Sequence, residues 1–391
     1  MLLPVLLLAG AVVCAADVAY GVHPAWGRYS HGLQVILWSR RLEWPLATIS
    51  LILCIAAIGL VVSGKRRAWW LIGLGPVLAL FVHRYYSDPL RVFAVSDNPI
   101  SVAADQANFM GDDDYVVGVT MGPEAFAYPA YCLYYSPVIV QSDHDKRFIL
   151  FWSAFANHAS AFSIARELRA RDLEVVSMPA NALLVYNSRL GEFINGLTGL
   201  TPKQSKPSGI AQPLVTQKTT WKQWRSAHPQ TQVMRAMGGA ANKEPNWPVA
   251  PYFPMPQWRN VGDPSTRIVL LPTTRPVAVP ADKVNSSVLN VPVGSGSIVL
   301  FRDRETGRVK AFDAQVEDLL LKFRANTDGR RRGVFMIDDN TKSGWGADGK
   351  VVDGRLAQQG VHLAPFAAEE GLYWGVMKFW MSDLQLAQTA P

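Results

Sequence analysis

The sequence predicts a mainly β protein with some α (α+β), in which an internally duplicated, strand-rich soluble region follows about three amino-terminal transmembrane helices. Three observations carry that expectation. The first 86 residues contain three uncharged apolar runs, short runs rich in Val, Ile, Leu and aromatics recur beyond them between turn residues, and those short runs come in two similar series. The expected division is a membrane domain at 1–86, a first β-rich half at 95–235, a proline-rich linker at 236–266 and a second β-rich half at 267–391.

Met1 to Ala16, Pro45 to Gly64 and Ala68 to Val82 are the apolar runs. A helix needs roughly 20 residues to cross the hydrocarbon. The second run meets that length unaided, and the third reaches it with Trp69, Trp70, Tyr85 and Tyr86 as interfacial anchors. Spans are expected near 2–22, 45–64 and 67–84. A cleaved signal peptide also begins with a short apolar stretch, but no basic segment precedes this one, so a retained helix is expected.

Basic residues concentrate in cytoplasmic loops. Lys65, Arg66 and Arg67 therefore hold the turn between the second and third spans in the cytoplasm, and the domain after Val82 lies outside. Arg28, Arg40 and Arg41 compete with that assignment, and "HGLQVILWSRRLEW" is suited to rest as an amphipathic helix on the membrane surface. The expected location is the inner (plasma) membrane, multi-pass, with a periplasmic or extracytoplasmic carboxyl-terminal domain. The bilayer is the first partner.

The three cysteines, Cys14, Cys54 and Cys132, are too few for a disulfide framework or a Cys-based zinc site. The net charge of +7 lies partly in the membrane loops, and "GRRRG" at 329–333 is one local basic cluster. Basic residues do not interleave with aromatics along a strand, so no nucleic-acid partner is expected.

The soluble part reads as strands at "DYVVGVTM", "RFILFW", "LEVVSM", "ALLVYN", "RIVLLP", "SIVLF", "VKAFDA" and "GVFMID". Helical spacing of apolar residues predicts one helix in each half, "ASAFSIARELRARD" at 159–172 and "DAQVEDLLLKFRAN" at 313–326, the second capped by Asp313. Aligned by eye, "RFILFW" and the segments that follow it run parallel to "VKAFDA" and its followers. Asn187 then faces Asp338, Leu190 faces Thr341, Glu192 faces Ser343 and Ile194 faces Trp345. The prolines of "NKEPNWPVAPYFPMPQWRNVGDPS", residues 242–265, exclude a regular helix or a central strand there. That stretch is expected to be an extended tether, with Trp247, Tyr252, Phe253 and Trp258 pinning it to apolar grooves.

Three motifs carry a family resemblance: "VVGVTMGPEAFAYP", "TTWKQWRSAHPQTQVM" and "DDNTKSGWGADGKVVDGRL". In order and spacing they resemble the bacterial family called domain of unknown function 3179, over about residues 110 to 385. The chain departs from that family's pattern in two places. "FWSAFANHASAF" stands where members carry a Cys-Pro-x-Cys pair, and Ser136 and Pro137 stand where they tend to carry His-Glu. The resemblance therefore implies a divergent member, without thiol or metal chemistry at those positions, and no activity to transfer.

The acids of "GDDDY" and "DHD" offer oxygen and imidazole ligands for a divalent cation, but they lack the spacing of a calcium loop and fit acidic turns as well. No His pair has the i, i+4 spacing of a helical metal site. "GSGSI" lacks the nucleophile-elbow pattern, and "GWGADG" neither opens a helix nor ends in Lys-Ser or Lys-Thr. No catalytic residue, metal or cofactor is expected. The ligand-contact candidates are Asp338, Thr341, Ser343 and Trp345 in the glycine-rich turn, His158 in the departed cysteine region, and Trp221, Trp224 and Trp374 in the Trp-rich segments. A cleft between the halves, near Trp345 and Ile194, is the expected ligand surface. The expected function is non-catalytic binding or scaffolding. The alternatives are a hydrolase using Asp338 or Asp339 with a facing carboxylate, and an accessory subunit of a larger membrane complex, with a small ligand or a membrane partner in either case.

Overall fold

The computed structural model describes residues 2–64, 68–235, 245–256, 262–327 and 331–387. The chain divides into two compact units, Met1–Gln257 and Trp258–Pro391.

The first unit begins with α1 (Leu2–Tyr20), a 3₁₀ turn at Pro24–Arg28, α2 (Gly32–Ser63), a second 3₁₀ turn at Ala68–Gly73, α3 (Leu74–Ser87) and the single turn α4 (Pro89–Val92). Only α1 and α2, among the described residues, are long and apolar enough to cross a membrane. The expectation of about three spans is thus corrected to two such helices. The third run is not one helix: Gly73 separates the 3₁₀ turn from α3, and Pro76, which lacks an amide hydrogen, is accommodated in the first turn of the new helix. At 14 residues α3 is about 21 Å long. The turn used for orientation, Lys65, Arg66 and Arg67, lies outside the described residues. "HGLQVILWSRRLEW" is not a separate surface helix either, because it continues into the 32-residue α2 with Pro45 inside.

Small residues bring α1 and α2 close. Ala11, Ala15 and Cys54 are buried together with Val77 of α3, and a Cβ on Gly10 would sit 3.2 Å from Leu53. The Ser50 hydroxyl donates to the Ala11 carbonyl at 2.9 Å, and the Ser39 hydroxyl to the Asp17 carboxylate at 3.0 Å.

The rest of the first unit is strand-rich. In order come β1 (Val95–Asp97), β2 (Ser101–Ala103), β3 (Tyr115–Met121), β4 (Glu124–Pro129), the turn α5 (Ala130–Leu133), β5 (Val138–Asp143), β6 (Lys146–Ser153), β7 (His158–Ile164), β8 (Leu173–Ser177), β9 (Leu184–Asn187), β10 (Glu192–Asn195), β11 (Ile210–Thr220), α6 (Trp221–Ala227) and β12 (Gln232–Met234). A nine-stranded sheet runs β1-β5-β6-β7-β11-β3-β4-β12-β2, and β10-β9-β8 form a second sheet. Alternation along β6 divides the core: Phe148, Leu150 and Trp152 join Val117, Val119 and Tyr128 on one face, while Ile149 and Phe151 join Val138, Val185 and Ile194 on the other.

The second unit carries β13 (Arg267–Leu271), β14 (Val277–Pro280), α7 (Ala281–Ser286), β15 (Leu289–Val293), β16 (Gly296–Arg302), β17 (Val309–Asp313), β18 (Gln315–Val316), β19 (Leu319–Leu320), β20 (Phe323–Ala325), β21 (Met336–Asp338), β22 (Gly344–Trp345), β23 (Val351–Asp353), β24 (Glu369–Tyr373), α8 (Trp374–Trp380) and β25 (Gln385–Leu386). Its sheets are β24-β13-β14-β25, β15-β16-β17, the pair β18-β19, and β20-β21-β22-β23.

Both units follow one pairing scheme. β3 pairs antiparallel with β4 and β11, and β4 pairs parallel with β12; β13 pairs antiparallel with β14 and β24, and β14 pairs parallel with β25. The meander β5-β6-β7 has its counterpart in β15-β16-β17, and β8-β9-β10 in β20-β21-β22.

Neither predicted helix forms. Residues 159–172 hold most of β7 and a turn, because β7 lies inside the sheet between β6 and β11 and is buried on both faces, from Ala159 and Ala161 to Ser160, Phe162 and Ile164. A strand buried on both faces loses its period-two signature and can imitate helical spacing. Residues 313–326 hold the end of β17, the β18-β19 hairpin and β20, and Asp313 accepts from the Gln315 amide at 2.9 Å in an Asx turn instead of capping a helix. The lost helices displaced the alignment by one strand: "VKAFDA" is β17, the counterpart of β7, whereas "RFILFW" lies in β6, the counterpart of β16.

The described tether residues, 245–256, are held mainly through their backbone. The Asn246 carbonyl accepts from the Tyr115 amide, and the Trp247 carbonyl accepts from the Tyr134 hydroxyl at 2.7 Å. Asn181 accepts from the Tyr252 and Phe253 amides at 2.9 and 2.7 Å and donates to the Phe253 carbonyl at 2.8 Å. Of the aromatic side chains expected to pin it, Phe253 packs edge-on against Phe155 and Tyr252, though exposed, stacks on the same ring at 5.7 Å, whereas Trp247 is exposed. Trp258 lies outside the described residues.

Candidate functional site

The glycine-rich turn joins β21 to β22, and the Asp338 amide donates to the Ser343 carbonyl at 3.1 Å, which leaves a four-residue loop at 339–342. Asp338 closes it from inside. One carboxylate oxygen accepts from the Thr341 amide at 2.5 Å, and the other from the Thr341 hydroxyl at 2.7 Å, the Ser343 amide at 3.2 Å and the Trp345 indole at 3.0 Å. The Ser343 hydroxyl contacts that of Thr341 at 2.8 Å and accepts from the Leu356 amide at 3.1 Å. Asp338, Ser343 and Trp345 are fully buried. A buried carboxylate is tolerable only with such a shell of donors.

Asp338, Thr341, Ser343 and Trp345 are therefore brought together, and the bonds they make hold their own hairpin. To act as a base or nucleophile, Asp338 would first have to shed four donors. Its neighbour Asp339 points elsewhere, to Arg324 at 3.0 Å. The exposed rim of the loop consists of Asn340 and Lys342, with Asp339 and Thr341 half-buried.

The counterpart turn joins β9 to β10. Asn187 accepts from the Arg189 and Leu190 amides, each at 3.2 Å. Val185 pairs with Ile194 as Met336 pairs with Trp345, so Ile194 stands at the position of Trp345 in its own hairpin, also buried.

The remaining candidates are dispersed. Trp221 and Trp374 open α6 and α8, their amides donating to the carbonyls of Asp114 at 2.7 Å and Thr266 at 2.9 Å. Trp224 lies against Gly118, where a Cβ would come within 2.2 Å of the ring, and its indole donates to the Thr231 hydroxyl at 3.0 Å. Trp374 lies outside the core cluster around Trp345. His158 is buried at the start of β7 with Nε2 3.0 Å from the Leu197 carbonyl, and register places Arg308 at the equivalent position of the second unit.

Two acidic turns resolve differently. In "GDDDY", Asp114 accepts from the Gly111 amide at 2.8 Å and from the Asn246 side chain at 2.7 Å, and Asp112 pairs with Arg225 at 3.4 Å. In "DHD", Asp143 and His144 meet Glu124, and among the described residues these three each offer a ligand atom within 4.8 Å of the others. The sequence reading missed Glu124. Its signal was the pair of two-residue hairpin turns, β3-β4 and β5-β6, which bring the three side chains together. A hydrogen bond to Asp143, reinforced by partial burial and by the Asp143 charge, raises the Glu124 carboxyl above its ordinary range, against the opposing charges of His144 and Lys146.

Burial pushes the Cys132 thiol up to about 12, so it is a packed, protonated side chain.

A protein family described as "Protein of unknown function (DUF3179)" matches residues 94–381. No curated protein and no solved structure matches the chain.

Proposed function

Because the chain belongs to the DUF3179 family, whose description names no activity, we propose from its own structure that it is a membrane-anchored, extracytoplasmic module with a non-catalytic binding or scaffolding role. It is a divergent member, with "FWSAFANHASAF" where the family carries its cysteine pair and a membrane region fused ahead of the family domain. The shared pairing scheme reads as a duplication, with a membrane region at 1–86, halves at 95–235 and 267–391, and a linker at 236–266.

One observation supports the binding role above the others: the residues with the most chemistry, Asp338, Thr341, Ser343 and Trp345, are engaged in holding a hairpin. A small ligand or membrane partner then meets that hairpin at its rim, Asn340 and Lys342. Anchoring is supported by α1 and α2, where Leu2, Leu6, Val13, Leu51, Ile52, Ile55 and Val62 are all more than half exposed. Leu and Ile in such numbers on the outside of two long helices suit lipid.

Alkaline carbonate extraction tests the anchor: the full chain is expected to stay with the membrane pellet, and release into the supernatant refutes anchoring. Photo-crosslinking from position 340 in native membranes tests the binding role. A discrete adduct that disappears in Lys342→Glu, with thermal stability retained, supports it. A hydrolytic turnover abolished by Asp338→Asn in a stably folded variant would overturn it.

A further inference from the structure

We propose that the bilayer surface on the side of the strand-rich part crosses α2 at Trp44, so that Gly32–Glu43 is a stalk outside the lipid that fixes the anchor to the first unit. This rests on the membrane anchoring proposed above and adds where the lipid begins.

Length requires an overhang. At 32 residues α2 is about 48 Å long, whereas the hydrocarbon takes about 30 Å, or 20 residues. About a dozen residues must lie outside. The sequence beyond the helix continues Lys65, Arg66, Arg67, which resists deeper entry at that end. Counting about 20 residues back from Ser63 reaches Trp44.

Side chains change character at that residue. On the far side, the exposed large residues from Ile49 to Val62 are Ile49, Leu51, Ile52, Ile55, Ile58 and Val62, all apolar. On the near side stand Gln34, Arg40, Arg41 and Glu43, which belong in or next to water and interrupt the face on which Trp38 and Leu42 are exposed. At the boundary, Trp44, Tyr85 and Tyr86 are each more than half exposed, and the Arg91 guanidinium lies 3.5 Å over the Tyr85 ring. Amphipathic rings of this kind settle at headgroup level. A phospholipid bilayer is the occupant that fits an apolar belt bounded by an aromatic rim.

The near side is also fastened. Arg40 bonds Glu43 at 2.7 Å and Glu174 of β8, and its guanidinium lies 5.3 Å over the Tyr186 ring. Glu43 receives Arg84 of α3 at 2.6 Å, and Arg41 lies 5.5 Å over Phe193. The Ser177 hydroxyl donates to the Val22 carbonyl at 2.6 Å, and Gly27 packs so closely on Ala180 that a Cβ would lie 2.4 Å from its amide nitrogen. Residues 22–43 are thus part of the body of the first unit, and lipid cannot surround them.

The test places single cysteines on the exposed face of α2 in the full chain, with Cys14, Cys54 and Cys132 replaced by Ala, in nanodiscs of phosphatidylcholine and phosphatidylglycerol. Gln34→Cys, Trp38→Cys and Leu42→Cys are expected to react with a water-soluble maleimide, and Ile49→Cys, Ile52→Cys and Ile55→Cys to react about tenfold or more slowly until detergent is added. Protection of Trp38→Cys and Leu42→Cys along with Ile49→Cys would refute the stalk and leave anchoring intact. Reaction at Ile49, Ile52 and Ile55 as fast as at Gln34 would refute anchoring, and the stalk with it. Protection at Ile52 that persists in detergent would put a second copy of the chain on the belt and overturn the lipid assignment.

Discussion

The turn at Asn187 and the turn at Asp338 have one backbone course and two chemistries. Each closes a four-residue loop between the second and third strands of a meander, and each bonds its fourth loop residue, Gly191 or Lys342, back to the carbonyl of the residue before the loop, at 2.9 and 3.1 Å. In the first unit a neutral amide collects two backbone donors and the following strand buries Ile194. In the second a carboxylate collects four donors, one of them the indole of Trp345. The difference follows from what the strand buries: an aliphatic side chain brings no polar atom into the core, whereas a buried Trp brings an N–H that needs an acceptor. The acid in this motif answers the indole.

The largest expected effect breaks that pairing. Asp338→Ala leaves the Trp345 indole and the Thr341 and Ser343 groups without their acceptor, a loss of about 3–4 kcal/mol. Asn187→Ala removes two bonds to backbone amides and costs about 1 kcal/mol. Asp338→Asn should fall nearer the Ala variant than Asn187→Asp does to wild type, because an amide nitrogen turned toward Thr341 or Trp345 sets donor against donor. Urea-dependent protease resistance of the full chain in detergent reads all four variants. Equal losses at positions 187 and 338 would mean that the indole bond contributes nothing.

The same contrast explains what could be read from sequence. The strand segments were legible because turn residues bracket them, and the pairing of Asn187 with Asp338 was legible because both hairpins kept their spacing. The two false helices were not avoidable by periodicity, since β7 is covered on both faces and β18-β19 is too short to show alternation. The extent of α2 was hidden by Arg40, Arg41 and Glu43, which look like a membrane-surface face until Glu174, Tyr186 and Phe193 are seen to receive them. Glu124 and Asp143 lie in different hairpins, and only the fold brings them together. The turn at 337–354 looked like a site because buried polar networks and ligand sites draw on the same residue types.

A second contrast lies in the short helices that follow the first hairpins. Pro129 and Pro280 occupy the same register position, so Cys132 of α5 corresponds to Lys283 of α7. Tyr131, Cys132 and Leu133 are buried, whereas Asp282 and Lys283 are exposed. Because burial raises the Cys132 thiol to about 12 from an unfolded value near 9, the folded state resists forming the thiolate. The stability this contributes is complete below pH 9 and is lost as pH rises from there toward 12, at about 1.4 kcal/mol per pH unit. In Cys132→Ala that alkaline dependence should disappear, and in the wild type the thiol should resist iodoacetamide at pH 8 until urea unfolds the first unit. Rapid alkylation of the folded chain would show that the thiol is accessible and its burial overstated.

The smallest effect sharpens the comparison most, because it isolates backbone from side chain. At three matched turns the chain takes positive φ in both units, with glycine in one and not in the other: His144 at 49° beside Gly294 at 58°, Asn157 at 50° beside Gly307 at 66°, and Lys342 at 61° beside Gly191 at 68°. A side chain held there costs about 1 kcal/mol, less for Asn, whose short polar side chain tolerates the left-handed region. Lys342→Gly should therefore stabilise the second unit by about 0.5–1 kcal/mol, and Gly191→Ala should destabilise the first by about 1 kcal/mol. His144→Gly should resemble the Lys342 change, and Asn157→Gly should be close to neutral. The same protease-resistance titration reads these differences, with several variants needed to resolve them. If Lys342→Gly is destabilising, its side chain does more than pass through a strained turn, and the rim of the Asp338 hairpin is then selected for what it meets in solvent and not for how it bends.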